Sequence, residues 1–360
     1  MSEEVKVISM RLRARHVPVV IVLIALLLTG CATAKQPLTE SQPAVQPAAE
    51  PQAEPVQLEA GMAPEAKRYL DELLEFMERN SIHRYTINWD EFRAKVFDKA
   101  SGASSIEETR FAITEALRLL DDRHSHYIPK NGRVISAAAC ATAPASTAPA
   151  SVPLLPSTVG YIKVSAFAGT SGQAAAFARS IQETINTFDS QGVTGWLVDL
   201  RGNTGGNMWP MITGLGPLLG EGTLGYFIDP KEAKSAWELR DGVAYLGDRA
   251  VDSNKAAFHM QTEAPRVAVL TDGITASSGE AIAIAFRGRA GTRSFGTPTC
   301  GLSTSNRSFT LSDGAVLALT TAVMADRTGK AYGGPVVPDE VIDDPANVAE
   351  RALQWLETGN

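Results

Sequence analysis

The run Arg266-Val-Ala-Val-Leu270-Thr-Asp-Gly-Ile-Thr-Ala-Ser277-Ser-Gly-Glu280-Ala-Ile-Ala-Ile-Ala-Phe286 reads as a strand, a tight turn and a helix, with a serine at the turn. It belongs to a series. Residues 159–167 and 193–200 are strand-like, Ala174, Phe177, Ile181, Ile185 and Phe188 mark an amphipathic helix, and residues 207–219 read as another. Short strands follow around Tyr226 and Tyr245, and a late hairpin turns at Ser312-Asp-Gly314 and continues through Val316 to Met324. Such alternation predicts an α/β core with helices packed on a sheet. Within it, Ser277 stands where a helix N-terminus stabilises negative charge. The same letters, Ser277-x-x-Glu280, also spell a helix capping box, in which both side chains satisfy free backbone N–H groups. On this stretch alone, capping and catalysis are both open.

The N-terminus constrains location. A basic stretch with Arg11, Arg13 and Arg15 precedes an apolar run from Val19 to Leu28 and then Leu28-Thr-Gly-Cys31. The apolar run is shorter than the ~20 residues of a bilayer-spanning helix, so it reads as a signal peptide. Leu-Thr-Gly-Cys resembles the bacterial lipobox, which predicts lipid on Cys31 and attachment to the bilayer of a bacterial cell envelope. Ala32 points to the outer membrane, with the protein facing the periplasm. Met10, directly before the basic stretch, is an alternative start. Without residues 1–30 the chain keeps 29 basic and 38 acidic residues, a formal charge of −9. A chain so acidic is a poor nucleic-acid binder. Beyond Cys31 only Cys140 and Cys300 remain, either as a disulfide or as two buried thiols. No His/Cys/Asp/Glu cluster has metal-ligand spacing, so neither metal nor other cofactor is implied.

Residues 1–30 are thus read as a lipoprotein signal peptide and 31–61, rich in Pro, Ala, Gln and Glu, as the lipidated cysteine and a disordered tether. Residues 62–130 form a small helical domain. Tyr69, Leu70, Leu73, Phe76 and Met77 recur at helical spacing, and Asn88-x-x-Glu91 and Ser105-x-x-Glu108 look like two further helix starts. An Ala/Ser/Thr/Pro-rich linker occupies 131–156, the α/β core 157–345 and a C-terminal helix 346–360.

Two more constellations carry chemistry. Asp199-Leu-Arg-Gly-Asn-Thr-Gly-Gly206 follows a strand and precedes a helix. Its paired glycines suit either an oxyanion hole or a plain Gly-rich turn. The Gly-Lys-Ser/Thr ending of a phosphate-binding loop is absent, which argues against nucleotides. Asp121-Asp-Arg-His124-Ser-His126 ends the helical domain beside its junction with the core, where a histidine is either a general base or a helix C-terminal cation. Spacing alone leaves open whether one or both histidines face a cleft.

Together, Asp199-Leu-Arg-x-Asn-x-Gly-Gly206, Thr275-Ala-Ser-x-x-Glu280 and Gly333-Gly-Pro-Val-Val-Pro-Asp339 resemble the C-terminal processing (tail-specific) serine peptidase family across roughly residues 64–345. The resemblance implies a crotonase/ClpP-like core acting on a peptide or protein substrate. It also implies a nucleophile at Ser277, with Ser278 as the fallback, and oxyanion donors from the Gly205-Gly206 turn and the Ser278 N–H. Bacterial members carry a PDZ domain where this chain has only its linker. They also place a lysine base after a Thr-x-Gly turn, whereas Thr299-Cys-Gly301 is followed here by Leu302. The tricorn-core-like branch uses a histidine instead, and His124 stands in its place. That branch has a serine directly before the histidine and a glutamate before the Pro-Asp motif. Arg123 and, approximately, Tyr332 hold those places, which leaves Asp326 as a candidate to orient His124. The expectation is acyl transfer by serine, histidine and backbone N–H groups. The rival is a non-catalytic peptide- or ligand-binding lipoprotein on the same fold. Acyl-CoA chemistry fits poorly with export.

Overall fold

The computed structural model describes residues 61–136, 140, 154–252 and 260–359. The signal segment, Cys31, nearly all of the tether and most of the 131–156 linker lie outside them. Three helices come first: α1 (Pro64–Asn80), α2 (Trp89–Lys99) and α3 (Arg110–Leu120). Asn88 caps α2 by accepting the Glu91 N–H at 3.3 Å, as the sequence predicts. The predicted start at Ser105 moves by one residue. Glu108 reaches back to both the N–H and the hydroxyl of Ser104 (2.7 and 3.0 Å), and a single 3-10 turn, Glu107–Thr109, leads into α3.

The remaining elements are β1 (His126–Ile128), β2 (Ile135–Ser136), β3 (Val159–Lys163), α4 (Ser171–Ser190), β4 (Gly195–Asp199), α5 (Met208–Leu219), β5 (Gly222–Ile228), β6 (Lys234–Arg240), β7 (Val243–Leu246), β8 (Arg249–Asp252), β9 (Arg266–Thr271), α6 (Ser278–Ala285), β10 (Thr292–Gly296), β11 (Thr304–Thr310), β12 (Val316–Asp326), β13 (Glu340–Val341) and α7 (Pro345–Thr358). Five strands form a wholly parallel sheet in the order β13-β10-β9-β4-β3. Its residues alternate between two buried faces, as a two-residue period requires. Trp196, Val198, Val267 and Val269 pack with residues of α4, α5 and α6, while Leu197, Ala268, Leu270 and Phe295 pack with Val348, Ala352 and Leu356 of α7.

The second sheet is antiparallel, in the order β2-β1-β12-β5-β6-β7-β8, with β11 also paired to β12. The strands expected near Tyr226 and Tyr245 belong to a four-stranded meander, β5 to β8. Leu224, Trp237, Leu239 and Met324 join the cluster that covers the parallel sheet, so α5 and α6 lie between two sheets. That burial explains why both helices are apolar almost all round. The chain is therefore an α/β protein with the layered core that the sequence predicts. Helices α1 to α3 do not close a core alone. Their buried residues share one cluster with Tyr127, Leu311, Leu317 and Leu319 of β1 and the β11–β12 hairpin. Cys140 and Cys300 are joined in a disulfide, with Cα atoms 5.4 Å apart.

Candidate active site

The turn from β9 to α6 is sewn to the turn from β4 to α5. Asp272 accepts the N–H groups of Gly202 (3.0 Å), Ile274 (3.0 Å) and Thr275 (2.8 Å). The Thr275 hydroxyl donates to Leu200 O at 3.0 Å, and the Ala276 N–H donates to Asn203 O at 2.9 Å. Held at both ends, the chain turns through Ser277 at φ +53°, ψ −115°, a left-handed conformation that a non-glycine residue adopts only at a cost of about 1–3 kcal/mol. This geometry belongs to a nucleophile elbow, which lifts a hydroxyl clear of its own strand and helix. Ser277 is partly exposed and lines a cleft of about 1040 Å³.

Glu280 caps the same turn, accepting the Ser277 N–H at 2.8 Å. Fully buried, it also accepts the Gly301 N–H (2.9 Å), the Leu302 N–H (2.8 Å) and the Thr299 hydroxyl. Burial raises its carboxyl above the usual range, although all four donors oppose that shift. Capping and catalysis thus share one turn. Ser278, the fallback nucleophile, is excluded by its surroundings: it is buried and its hydroxyl donates to Gly206 O at 2.5 Å.

The oxyanion assignment needs one correction. The Gly205 N–H is taken up by the Asn203 side chain at 2.9 Å and has no role in a hole. The N–H groups of Gly206 and Ser278 have no partner among the described residues, the latter because the first N–H of a helix has no intrahelical acceptor. Glycine is required on both sides of that peptide. A Cβ at Gly205 (φ +100°) would lie 2.7 Å from Ser277 Cβ, and one at Gly206 (φ +108°) 2.0 Å from Phe167 O. Asp199 and Arg201 form a buried bidentate pair (2.9 and 2.8 Å) beneath this turn, joined by the Tyr161 hydroxyl at 3.0 Å. The Asp-Leu-Arg part of the motif is scaffolding for the glycines that follow.

His124 follows α3, whose end is set by Asp121 in a left-handed conformation. Asp122 accepts the N–H groups of His124 (3.1 Å) and Ser125 (2.7 Å), and the Asn306 side chain donates to His124 O at 2.9 Å. The ring Nδ1 is 2.7 Å from Thr304 Oγ1. With Nδ1–H donating to that oxygen, the lone pair for proton abstraction lies on Nε2. Burial first, and the neighbouring His126 second, push the imidazole down to about 4, so it is neutral at pH 7. Both histidines line the cleft that contains Ser277, Gly206 and Ser278.

Asp326 is not the orienting group. Its carboxylate accepts the N–H and hydroxyl of Thr328, the Lys330 N–H and the Tyr332 hydroxyl, closing the turn at the end of β12. Burial alone would raise its pKa, but those hydrogen bonds outweigh it and hold the carboxyl below the usual range. Thr304, Asn306 and Asn203 carry the positioning that the sequence left unassigned.

From residue 158 to residue 342 the sequence matches the model of peptidase family S41. The chain belongs to peptidase family S41. A nisin-resistance protein of Lactococcus lactis subsp. lactis is 27% identical over 301 residues, which is 82% of this chain and 88% of that protein. A carboxyl-terminal-processing protease of Synechocystis sp. is 26% identical over 188 residues, 52% of this chain and 38% of the protease. The structure of a lipoprotein from Streptococcus agalactiae superposes with a TM-score of 0.65 at 25% identity, covering 83% of this chain and 98% of that one. The photosystem II D1 C-terminal processing protease shares the fold, with a TM-score of 0.54 at 17% identity over 82% of this chain and 98% of its own. Family S41 is a family of serine proteases, and Ser277 is the serine that its backbone lifts into the cleft.

Proposed function

We propose that this protein is a serine peptidase of the bacterial envelope, with Ser277 as nucleophile, His124 as general base and the N–H groups of Gly206 and Ser278 as the oxyanion hole. The observation that carries the reading is the Ser277 elbow, flanked by two unpartnered N–H groups in the same cleft as a neutral histidine. Nε2 of His124 takes the proton as Ser277 Oγ bonds to the scissile carbonyl carbon, and the carbonyl oxygen becomes an anion held by the two N–H groups. The intermediate collapses as the C–N bond breaks and the imidazolium proton passes to the leaving amine. Water, deprotonated by the same nitrogen, then attacks the acyl carbon, and the bond to Ser277 Oγ breaks as the imidazolium returns that proton to the serine oxygen. Each oxyanion donor contributes about 3 kcal/mol of transition-state stabilisation. The orienting group is a hydroxyl and not a carboxylate. It holds the ring at Nδ1 and adds no negative charge against the imidazolium, which makes this a serine–histidine dyad.

A peptide substrate is supported by the likeness, over most of both chains, to a protein named for nisin resistance. Attachment through lipid on Cys31 is supported by Leu28-Thr-Gly-Cys31 and by the similar Streptococcus lipoprotein. The Cys140–Cys300 disulfide fits an oxidising compartment such as the periplasm. Radiolabelled palmitate should enter the protein, and Cys31→Ala should abolish that incorporation. A serine-directed phosphonate should label the purified protein at Ser277 and fail to label Ser277→Ala, with labelling slowed strongly in His124→Ala. Labelling that persists in Ser277→Ala, or moves to Ser278, overturns the assignment. A cleft that binds peptides yet resists labelling favours the non-catalytic reading.

A further inference from the structure

The charge of the cleft is opposite to that of the chain. The sequence carries 33 basic and 40 acidic residues, a formal charge of −7. The cleft that holds Ser277 and His124 is nevertheless lined by Arg79, Arg84, Arg123, Arg249 and Arg307, with Asp229 as the sole acidic residue among its described lining. Two of these arginines are partly spent. Arg79 pairs with Glu75, and Arg84 lies 3.3 Å from Asp229. The other three have no carboxylate partner among the described residues: Arg307 meets only the Phe309 ring, 5.5 Å from its centroid, and Arg123 and Arg249 have no ion pair.

Their distribution matters as much as their number. Arg79 is in the last turn of α1, Arg123 directly precedes the base, Arg249 opens β8, and Arg307 is on β11, three residues beyond Thr304. Three elements and one loop thus bring cations to one space, with Trp209, Phe227 and Leu246 lining it as well. Arg123, Arg249 and Arg307 are exposed at the rim of the cleft, so they act through solvent: together they raise the local concentration of negatively charged ligands and repel positive ones, an effect that salt screens. His124, neutral here, adds no charge of its own, and Asp229 is the one carboxylate of the described lining set against the arginines.

We infer that the substrate is an acidic peptide, one whose Asp or Glu side chains meet the arginines of the cleft. This rests on the peptidase reading and names its substrate class. Arg123, Arg249 and Arg307 are the specificity-determining residues. Arg123 is the most constrained of them, because its backbone is fixed at φ +59° beside His124.

The test separates binding from turnover. Ser277→Ala, which leaves a bound peptide intact, is titrated with fluorescent peptides of equal length and apolar content, amidated at the C-terminus, that differ only in Glu, Gln or Lys at the polar positions. The Glu peptide should bind about tenfold or more tightly than the Lys peptide at low salt. That advantage should shrink at about 0.5 M salt, where screening acts within a few ångströms. Arg123→Gln, Arg249→Gln and Arg307→Gln, each introduced beside Ser277→Ala, should each weaken the Glu peptide more than the Gln peptide, and Arg123→Lys should retain the preference. Equal affinities, a preference for Lys, or a preference unmoved by the three Gln variants overturns the inference. A free-acid copy of the Glu peptide is the control: if it binds and the amidated one does not, the inference is likewise overturned, since the arginines would then be holding the chain end. Hydrolysis by the wild-type protein is read separately. If the Glu peptide binds with the expected preference and is never cleaved, the peptidase reading fails while the charge preference stands.

Discussion

Glu280 accepts the backbone N–H of Ser277 at 2.8 Å and, with the same oxygen, the N–H of Leu302 at 2.8 Å. Leu302 lies two residues before Thr304, whose hydroxyl meets the His124 ring. One buried carboxylate therefore ties the turn of Ser277, the proposed nucleophile, to the strand that meets His124, the proposed base. Glu280→Gln places an amide NH₂ against N–H donors and leaves at least one buried donor unmatched, at a cost of about 1–3 kcal/mol. Urea denaturation should show that loss. Kinetics on any cleaved peptide should show kcat falling further than KM changes. Wild-type stability together with wild-type kcat would remove Glu280 from this role.

The depressed pKa of His124 fixes a pH profile. As the proposed base, His124 works only when neutral, so kcat/KM should rise as pH passes through about 4 and stay flat across neutrality, with no inflection near 6.5. Stability follows the same displacement. Between about 4 and 6.5 the unfolded chain binds a proton at this residue that the native protein does not, so stability rises with pH through that window and its contribution levels off above it. A histidine titration near 6.5, followed by NMR of the His124 ring protons, would contradict both expectations.

Thr304 and Asp326 make opposite predictions. Thr304→Val removes the hydrogen bond to Nδ1, worth about 1 kcal/mol, and should lower kcat by about fivefold, with Thr304→Ser close to wild type. Asp326→Asn disturbs the Thr328, Lys330 and Tyr332 hydrogen bonds, so it should lower Tm while the folded protein keeps most of its kcat. Paired measurements of Tm and kcat decide between them. Should Asp326→Asn reduce kcat more than Thr304→Val does at unchanged Tm, the orienting group has been misassigned.

What could be read from the letters was local. Strand, turn and helix around Ser277, the Asn88 cap and the Ser312-Asp-Gly314 turn each depend on residues a few positions apart, and all three stand in the fold. The failures are of a different kind. Which of two adjacent glycines offers its N–H was decided by the Asn203 side chain folding back onto Gly205. Thr304 lies 180 residues from His124, and its facing follows a register shift between Ser305 and Asn306 that no periodicity announces. The arginines of the cleft are scattered over elements that only the sheet order brings together. Glu280 was legible as a cap, but its contacts with Gly301 and Leu302 depend on how the loop before β11 returns to α6.

That loop carries the last prediction. Cys300 is bonded to Cys140 across 160 positions of sequence, and its neighbours Thr299 and Gly301 both donate to Glu280. Cross-linking so long a loop restricts the unfolded chain, which stabilises the fold by about 2–4 kcal/mol. Reduction, or the double substitution Cys140→Ser with Cys300→Ser, should lower Tm accordingly. Because Cys300 sits between two of the donors to Glu280, the same change should loosen the clamp on Ser277 and slow phosphonate labelling of the protein that remains folded. Thermal denaturation with and without dithiothreitol, with thiols counted in each sample, reads the first effect, and labelling rates below the transition read the second. Identical Tm values for the oxidised and fully reduced protein would count against the stabilising role, and identical labelling rates against the coupling to Glu280.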